Sequence, residues 1–243
     1  MFKKKLLILL SIFGLCLFVH FSVEAIPEYQ ITLAGSRLCL KRSYTPDSEK
    51  VTTINVEEGV ELIDEEAFCD YKNVKTIVFP KSLKEIRKYA FRDCHKLEKV
   101  VFPPNCELRQ IGARAFYMSS RLRSIKLPKN VQFIGEYAFG YCNNLHKVSF
   151  LPESNLLKIS QHAFAGTNLT EVTLPETIQF ISLTAFKNCK RLQRVDFFPD
   201  HLPKKEIDSK IFVDVPNLNE TIVIPVNTKI IRQDIFGYIE KLA

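Results

Sequence analysis

The sequence predicts a repeat solenoid: an arc of stacked strand-and-turn units with a parallel sheet on the concave face and short helical or 3₁₀ turns opposite. Three observations carry this. Phe returns at near-constant spacing, as Phe68, Phe91, Phe116, Phe139, Phe164, Phe186, Phe212 and Phe236, in steps of 23, 25, 23, 25, 22, 26 and 24. Around most of these rings one frame recurs, A-F-x-x-x-x-x-L-x-x-V-x-F-P and then an apolar pair three apart. It reads Ala90-Phe91, Leu97, Val100, Phe102, Pro103, Leu108, Ile111, and again Ala138-Phe139, Leu145, Val148, Phe150, Pro152, Leu156, Ile159. The composition agrees: 19 Phe against 2 Met and no Trp calls for a rigid ring in one recurring place. A unit of this length cannot bury its own apolar edge and does so only by stacking on copies of itself.

Residues 1–25 stand apart from the repeats. Lys3, Lys4 and Lys5 precede an apolar run from Leu6 to Phe21, and Val23-Glu24-Ala25 has the small-x-small form of a signal-peptidase site. The run of 16 residues contains Gly14 and His20 and falls short of the roughly 20 residues that span a bilayer. Cys16 follows the bulky Leu15, which argues against a lipid-attachment site. A cleaved signal is the expectation, with no membrane span after cleavage. Without Lys3, Lys4, Lys5 and Glu24, 31 cationic side chains face 26 acidic ones, a net of +5. Behind an export signal this favours attraction to anionic partners over nucleic acid.

Residues 26–50 do not fit the frame. Ile31-Thr32-Leu33 and Leu38-Cys39-Leu40, divided by Ala34-Gly35-Ser36, predict a hairpin that caps the first repeat. The repeats occupy 51–231, and 232–243 form the C-terminal cap. Within a repeat, L-x-x-V-x-F places Val and Phe two apart, so both point inward from a short strand and the residue between them points out. Strands are therefore expected to begin near Thr53, Thr76, Lys99, Ser124, Lys147, Glu171 and Arg194, all parallel. The following Pro ends the strand, since it has no N–H to donate. Leu83, Ile86, Ala90 and Phe91, with steps of three and four, suggest a helical or 3₁₀ turn. The spine Phe form one column, and Phe79, Phe102, Phe150 and Phe197 fill the strand column. Tyr89-Ala90-Phe91 returns as Tyr137-Ala138-Phe139, 48 residues later, which reads as duplication of a two-repeat unit.

The A-F-x-x-C-x-x-L-x-x-I-x-x-P signature, seen in Ala90–Pro103, Ala138–Val148 and Ala185–Val195, resembles the BspA-like class of leucine-rich repeats. That class occurs in bacterial surface proteins, treponemal ones included, and in some protists. The resemblance covers about Val51 to Ile231 and implies a leucine-rich-repeat arc with a role in adhesion or host-protein binding. It implies no catalytic residue. It is weakest at the end, where Ile211-Phe212 replaces Ala-Phe and Phe197–Glu206 is longer.

Candidate chemistry is sparse. Cys94, Cys142 and Cys189 each follow a spine Phe by three residues, and Ser119 and Thr167 hold the same column between them. Two repeats separate the cysteines by roughly 10 Å, beyond disulfide reach, so they read as buried packing residues. Cys39, Cys69 and Cys106 are unassigned, and a bridge from the cap is open to them. His95 and His146 have no metal-ligand spacing and read as exposed turn residues. No G-x-S-x-G, phosphate-binding Gly loop or H-E-x-x-H occurs, so neither an enzyme nor a cofactor is expected. Asn168-Leu169-Thr170 and Asn219-Glu220-Thr221 are glycosylation sequons with meaning only in a eukaryotic secretory pathway, and the lysine-rich n-region favours a bacterial source.

What remains is surface. One outward column reads Thr53, Thr76, Lys99, Ser124, Lys147, Glu171, Arg194, Thr221; the other reads Asn55, Val78, Val101, Lys126, Ser149, Thr173, Asp196, Val223. A partner-binding face is expected at Thr76, Val78, Lys99, Val101, Ser124, Lys126, Lys147, Ser149, Glu171 and Arg194, basic at its centre, with Val78 and Val101 as an apolar shoulder. Its partner would be a protein or an acidic glycan. A rival patch comprises Leu62, Phe133 and Phe180, in a column that is polar in other copies (Glu85, Gln110, Lys158). The functional expectation is an exported binding module; the alternative is a structural protein of the cell envelope, in the periplasm.

Overall fold

The computed structural model describes residues 50–151, 153–198, 212 and 214–218, with the backbone of the strands at 7–12, 15–20, 29–34, 37–42, 204–208, 221–225 and 229–231. Side chains are described at 50–151, 153–197, 212 and 214–218. Phe236 and the C-terminal segment 232–243 lie outside these residues.

Strands β1 (Leu7–Ile12) and β2 (Leu15–His20), inside the expected signal, pair antiparallel with each other and with no other described strand. Strands β3 (Tyr29–Ala34) and β4 (Arg37–Arg42) form an antiparallel hairpin. From there each turn of the solenoid contributes two strands. The first series is β5 (Thr53–Asn55), β7 (Thr76–Val78), β9 (Lys99–Val101), β11 (Ser124–Lys126), β13 (Lys147–Ser149), β15 (Glu171–Pro175) and β17 (Arg194–Phe198). The second is β6 (Leu62–Ile63), β8 (Glu85–Ile86), β10 (Gln110–Ile111), β12 (Phe133–Ile134), β14 (Lys158–Ile159) and β16 (Phe180–Ser182). Then come β18 (Lys204–Asp208), β19 (Thr221–Pro225) and β20 (Lys229–Ile231).

The first series begins at the seven residues expected from the L-x-x-V-x-F spacing, and its pairings are parallel. The second residue of each strand, Ile54, Ile77, Val100, Ile125, Val148, Val172 and Val195, is buried, while its neighbours on either side face out. The series is nevertheless not one sheet. Registers join β5–β7–β9, β11–β13 and β15–β17, but none joins β9 to β11 or β13 to β15. Both breaks follow the 25-residue turns. There two extra residues precede the second strand, after a turn closed by Cys106 N–H to Pro103 O (3.2 Å) and Ser154 N–H to Leu151 O (3.0 Å), the same turn that Val60 closes on Glu57 and Val131 on Pro128 in the shorter units. Pro103 and Pro104 have no N–H with which to continue a ladder.

Opposite this face the structure corrects one expectation. No helix occurs among the described residues. The second series forms an unbroken parallel ladder, β4-β6-β8-β10-β12-β14-β16-β20. The Ala-Phe segment after it is a chain of tight turns. Glu66, Tyr89, Arg114, Tyr137 and His162, each just before Ala, have φ of 57°, 60°, 54°, 52° and 56°. Asp70, Asp93, Met118 and Tyr141, each two after Phe, are left-handed too, at 63°, 61°, 60° and 56°. Non-glycine residues resist this conformation, and the hydrogen bonds explain why it is held. Alternate N–H groups close turns within the unit, as in Ala90 N–H to Arg87 O (3.3 Å) and Arg92 N–H to Tyr89 O (3.0 Å). The others donate to the next unit: Tyr89 to Ala113 O (3.0 Å), Phe91 to Ala115 O (2.7 Å) and Asp93 to Tyr117 O (2.9 Å). A helix would send all of them backward within its own segment; here alternate N–H groups tie turn to turn instead, which pairs donors that the tight turns leave over.

Those bonds set the spine. Phe68, Phe91, Phe116, Phe139, Phe164 and Phe186 are fully buried, with successive centroids 5.0, 5.2, 5.3, 5.4 and 5.7 Å apart and planes within 9° of parallel. Phe212 departs from the stack: it meets Phe186 edge-on, at 5.9 Å and 77°. This is where Ile211 replaces the small Ala and where β18 and β19 pair antiparallel. In the strand column Phe79, Phe150 and Phe197 are buried, but Phe102, at the first lengthened loop, is half-buried against Phe79.

The cysteine column lies beside the spine. Cys94, Cys142 and Cys189 are buried free thiols, and each Sγ donates to a spine carbonyl of an earlier turn: Phe68 O (3.3 Å), Phe116 O (3.1 Å) and Phe164 O (3.1 Å). Ser119 Oγ does the same to Phe91 O at 3.5 Å. Cys69 and Cys106 are also free, and the side chain of Cys39 lies outside the described residues. Burial pushes the Cys142 thiol up to about 12 and those of Cys106 and Cys189 up to about 11, so the reactive thiolate is scarce at neutral pH. Cys106, Cys142 and Cys189 should resist alkylation by iodoacetamide in the folded protein and react promptly in denaturant. Peptide mapping checks this, and fast native labelling at Cys142 would contradict its burial.

Candidate partner-binding surface

The parallel register places the outward side chains in rows. Thr76 pairs with Lys99, Val78 with Val101, Ser124 with Lys147, Lys126 with Ser149, and Glu171 with Arg194. All ten face outward: Lys99, Ser124, Lys126, Lys147, Glu171 and Arg194 are exposed, and Thr76, Val78, Val101 and Ser149 half-buried. Their charges differ in standing. Arg194 Nε donates to Asp196 Oδ2, so its charge is answered on its own strand. Lys99, Lys126 and Lys147 form no ion pair among the described residues. The column just before the strands adds exposed Lys75, Arg123 and His146. Sequence reasoning passed over these because it placed the face inside the strand. Glu98, in the same column, is engaged by Arg121 at 3.6 Å.

At the β9–β11 break the face opens into a cleft of about 400 Å³. Val101 and Phe102 line it from one turn and Lys126, Leu127 and Lys129 from the next, with Leu151 beyond. Two of the expected site residues, Val101 and Lys126, thus share a concavity. The clue was present in the 25-residue step and the Pro103-Pro104 pair, which the repeat frame absorbed as variation.

The rival patch is corrected in part. Leu62 is fully buried, so it belongs to no surface. It stands opposite Cys39 in the β4–β6 register, at the end of the second ladder that the hairpin extends. Phe133 and Phe180 are half-buried and flank Lys158 in adjacent rows.

A further column was missed altogether. Tyr89, Arg114, Tyr137 and His162 occupy the left-handed position of successive turns. Arg114 lies 5.7 Å over the Tyr89 ring and 5.0 Å over Tyr137, donates to Tyr89 OH at 3.2 Å, and pairs with Glu136 at 3.2 Å. His162 stacks on Tyr137 at 4.4 Å; burial, then the nearby Lys187 charge, hold its imidazole below the usual range. Tyr117 stands edge-on to both Tyr137 and Tyr141. The Tyr-Ala-Phe triplets mark two positions of this column, but a repeated triplet by itself signals duplication and not the packing of its Tyr. Arg114 and His162 cover Tyr137 from both sides, so this column is packed rather than open.

His95 and His146 are exposed. No group of three His, Cys, Asp or Glu among the described residues is placed to hold a metal ion, and no described helix is long and apolar enough to cross a membrane.

By structure the chain is similar to the T. pallidum leucine-rich-repeat protein TpLRR, with a TM-score of 0.62 at 23% identity over 71% of this chain and 80% of that one. It is similar to the pneumococcal vaccine antigen PcpA, with a TM-score of 0.61 at 24% identity over 73% of this chain and 49% of that one. A leucine-rich cell surface protein of Faecalibacterium prausnitzii gives 0.51 at 23% identity, over 74% of this chain and 55% of that one. The chain therefore spans about half the length of the latter two, and at these identities the likeness speaks to the fold. No curated protein matches the sequence. The BspA type leucine-rich repeat region matches residues 42–155 and 109–243, in 6 copies. The chain belongs to the BspA-type leucine-rich-repeat family.

Proposed function

We propose that the chain is an exported, non-enzymatic binding module that recognises an anionic partner, in adhesion or host-protein recognition, through the outward face of its first strand series. The carrying observation is that Lys99, Lys126 and Lys147 stand on that face with no described carboxylate to answer them. Charges left unpaired on one face attract an oppositely charged partner and speed its arrival. Thr76, Ser124 and Ser149 supply hydroxyls beside them, and Val78 and Val101 an apolar margin.

The test is retention on immobilised poly-glutamate across a salt series. The wild-type chain should bind at low salt and release as screening grows. The triple variant Lys99→Glu/Lys126→Glu/Lys147→Glu should lose at least tenfold in affinity, with its melting temperature almost unchanged, because exposed charges contribute little to folding. Salt-insensitive binding that survives the reversal overturns the reading. Protease added to intact cells separates display from scaffolding: cleavage supports a surface module, and full protection supports the structural alternative in the periplasm.

A further inference from the structure

We infer that the cleft at the β9–β11 break is an anchor site for an apolar side chain of an acidic polypeptide, so that the partner is a protein segment rather than a glycan. This rests on the proposed use of the strand face and narrows it.

Three observations carry the inference. First, the cleft is apolar within and basic at the rim: Val101, Phe102, Leu127 and Leu151 line it, while Lys126 and Lys129 are exposed at its edge. Pockets that fix an anchor have this make-up, an apolar bed with a few convergent polar groups. Second, its size of about 400 Å³ lies in the range of ligand pockets and admits a Leu or Phe side chain. Third, its position is not incidental to the charge. Lys126 belongs both to the rim and to the outward lysines, with Lys99 and Lys147 in the neighbouring turns on either side. A chain with one apolar residue among carboxylates would seat the residue in the cleft and set its acids against those lysines. An anionic glycan could satisfy the lysines but has no large apolar group for Val101, Phe102 and Leu151, the apolar lining that is left half-exposed. Sugar left over that bed would forfeit the burial that makes an anchor strong.

The sheet break supplies the room. Where β7 meets β9, Phe79 N–H donates to Val101 O at 2.9 Å, and where β11 meets β13, Leu127 N–H donates to Ser149 O at 3.0 Å. Between β9 and β11 no register is formed, and residues 102–106 of the lengthened loop form one wall.

The experiment uses the full chain and three probes: a short Asp/Glu-rich peptide with one central Leu, the same peptide with Ala there, and heparin as a glycan polyanion. Titration calorimetry should give at least about tenfold tighter binding of the Leu peptide than of the Ala peptide, as expected for burying one such side chain. Val101→Thr/Leu151→Ser should erase that difference and leave the salt dependence of both peptides intact. A charge reversal that weakens both peptides, with Leu and Ala peptides equal, sinks the anchor and spares the proposed face. A Leu preference that persists while the reversal has no effect sinks the basic face instead. Heparin binding more tightly than either peptide, indifferent to Val101→Thr/Leu151→Ser, overturns the assignment to a polypeptide, as does failure of both peptides to bind.

Discussion

Replacing Phe139 by Ala is expected to lower the free energy of unfolding by about 3–5 kcal/mol, the range for a fully buried ring. Phe139 is 0% exposed and stacked on both sides, 5.3 Å from Phe116 and 5.4 Å from Phe164. The void cannot close readily. Phe116 N–H is bonded to Ala138 O and Phe139 N–H to Ala163 O, both at 2.8 Å, so the backbones on either side keep their spacing. Each neighbour also loses a stacked face, which contributes beyond simple area. Phe212→Ala is expected to cost less, since among the described rings it meets Phe186 alone, edge-on and outside the stack. Urea melting decides: the Phe139→Ala midpoint should fall at constant slope, and an unchanged midpoint would mean that the stack does not stabilise the fold.

Some of this architecture was legible in the sequence and some was hidden by its own periodicity. Strand starts such as Lys99 and Lys147 were readable because Val-x-Phe imposes a period of two and the following Pro or lengthened loop closes it. The spine was readable because Ala-Phe recurs, and the cysteine column because Ser119 and Thr167 take turns with it. The turns were misread. Leu83, Ile86, Ala90 and Phe91 have helical steps, yet Tyr89 and Asp93 are left-handed, and a period of three to four cannot distinguish a helical turn from tight turns laid end to end. Two-residue strands such as Glu85–Ile86 are too short to show any period. Their pairing is a property of the stack, not of the segment.

The candidate surface divides the same way. Alternation was enough to turn Thr76, Lys99, Ser124 and Lys126 outward. It was blind to who answers each charge: only the structure gives Arg194 to Asp196 and leaves Lys126 unpaired. Nor did alternation reveal that Leu62 is sealed, because that depends on where β4 docks, or that a lengthened loop removes one ladder and leaves a cleft.

Gly135→Ala is expected to destabilise by about 2–3 kcal/mol, the upper part of the range for overpacking, and to do so at a particular place. A Cβ there would stand 2.7 Å from Ala113 N, 2.7 Å from Gly112 C and 3.0 Å from Ile111 O, all backbone of the preceding turn. These atoms are held: Gly135 N–H donates to Ile111 O at 2.8 Å, and Ile111 is in register with Ile134. No flexible side-chain tip is available to yield, so the two turns must separate. They are the turns between which the first series has no register, joined by the second ladder, the spine and the tight-turn bonds. Solenoid stability is a sum over such interfaces, so strain at this one should uncouple the units on either side. The expected signature is a shallower urea transition, or two transitions, with hydrogen exchange accelerated at Phe133 and Ile134 before it changes at Ile54 or Val172. Gly166→Ala is the control. Its φ of 68° makes Ala strained, but the contact is the Tyr141 ring at 2.9 Å, a side chain that can swing aside. Because Val101 and Phe102 line the cleft from one of the separated turns and Lys126 and Leu127 from the other, Gly135→Ala should also weaken the Leu peptide more than the Ala peptide. A single transition as steep as wild type, with the Leu preference retained, would show that this interface tolerates the methyl group and that the cleft does not depend on its closure.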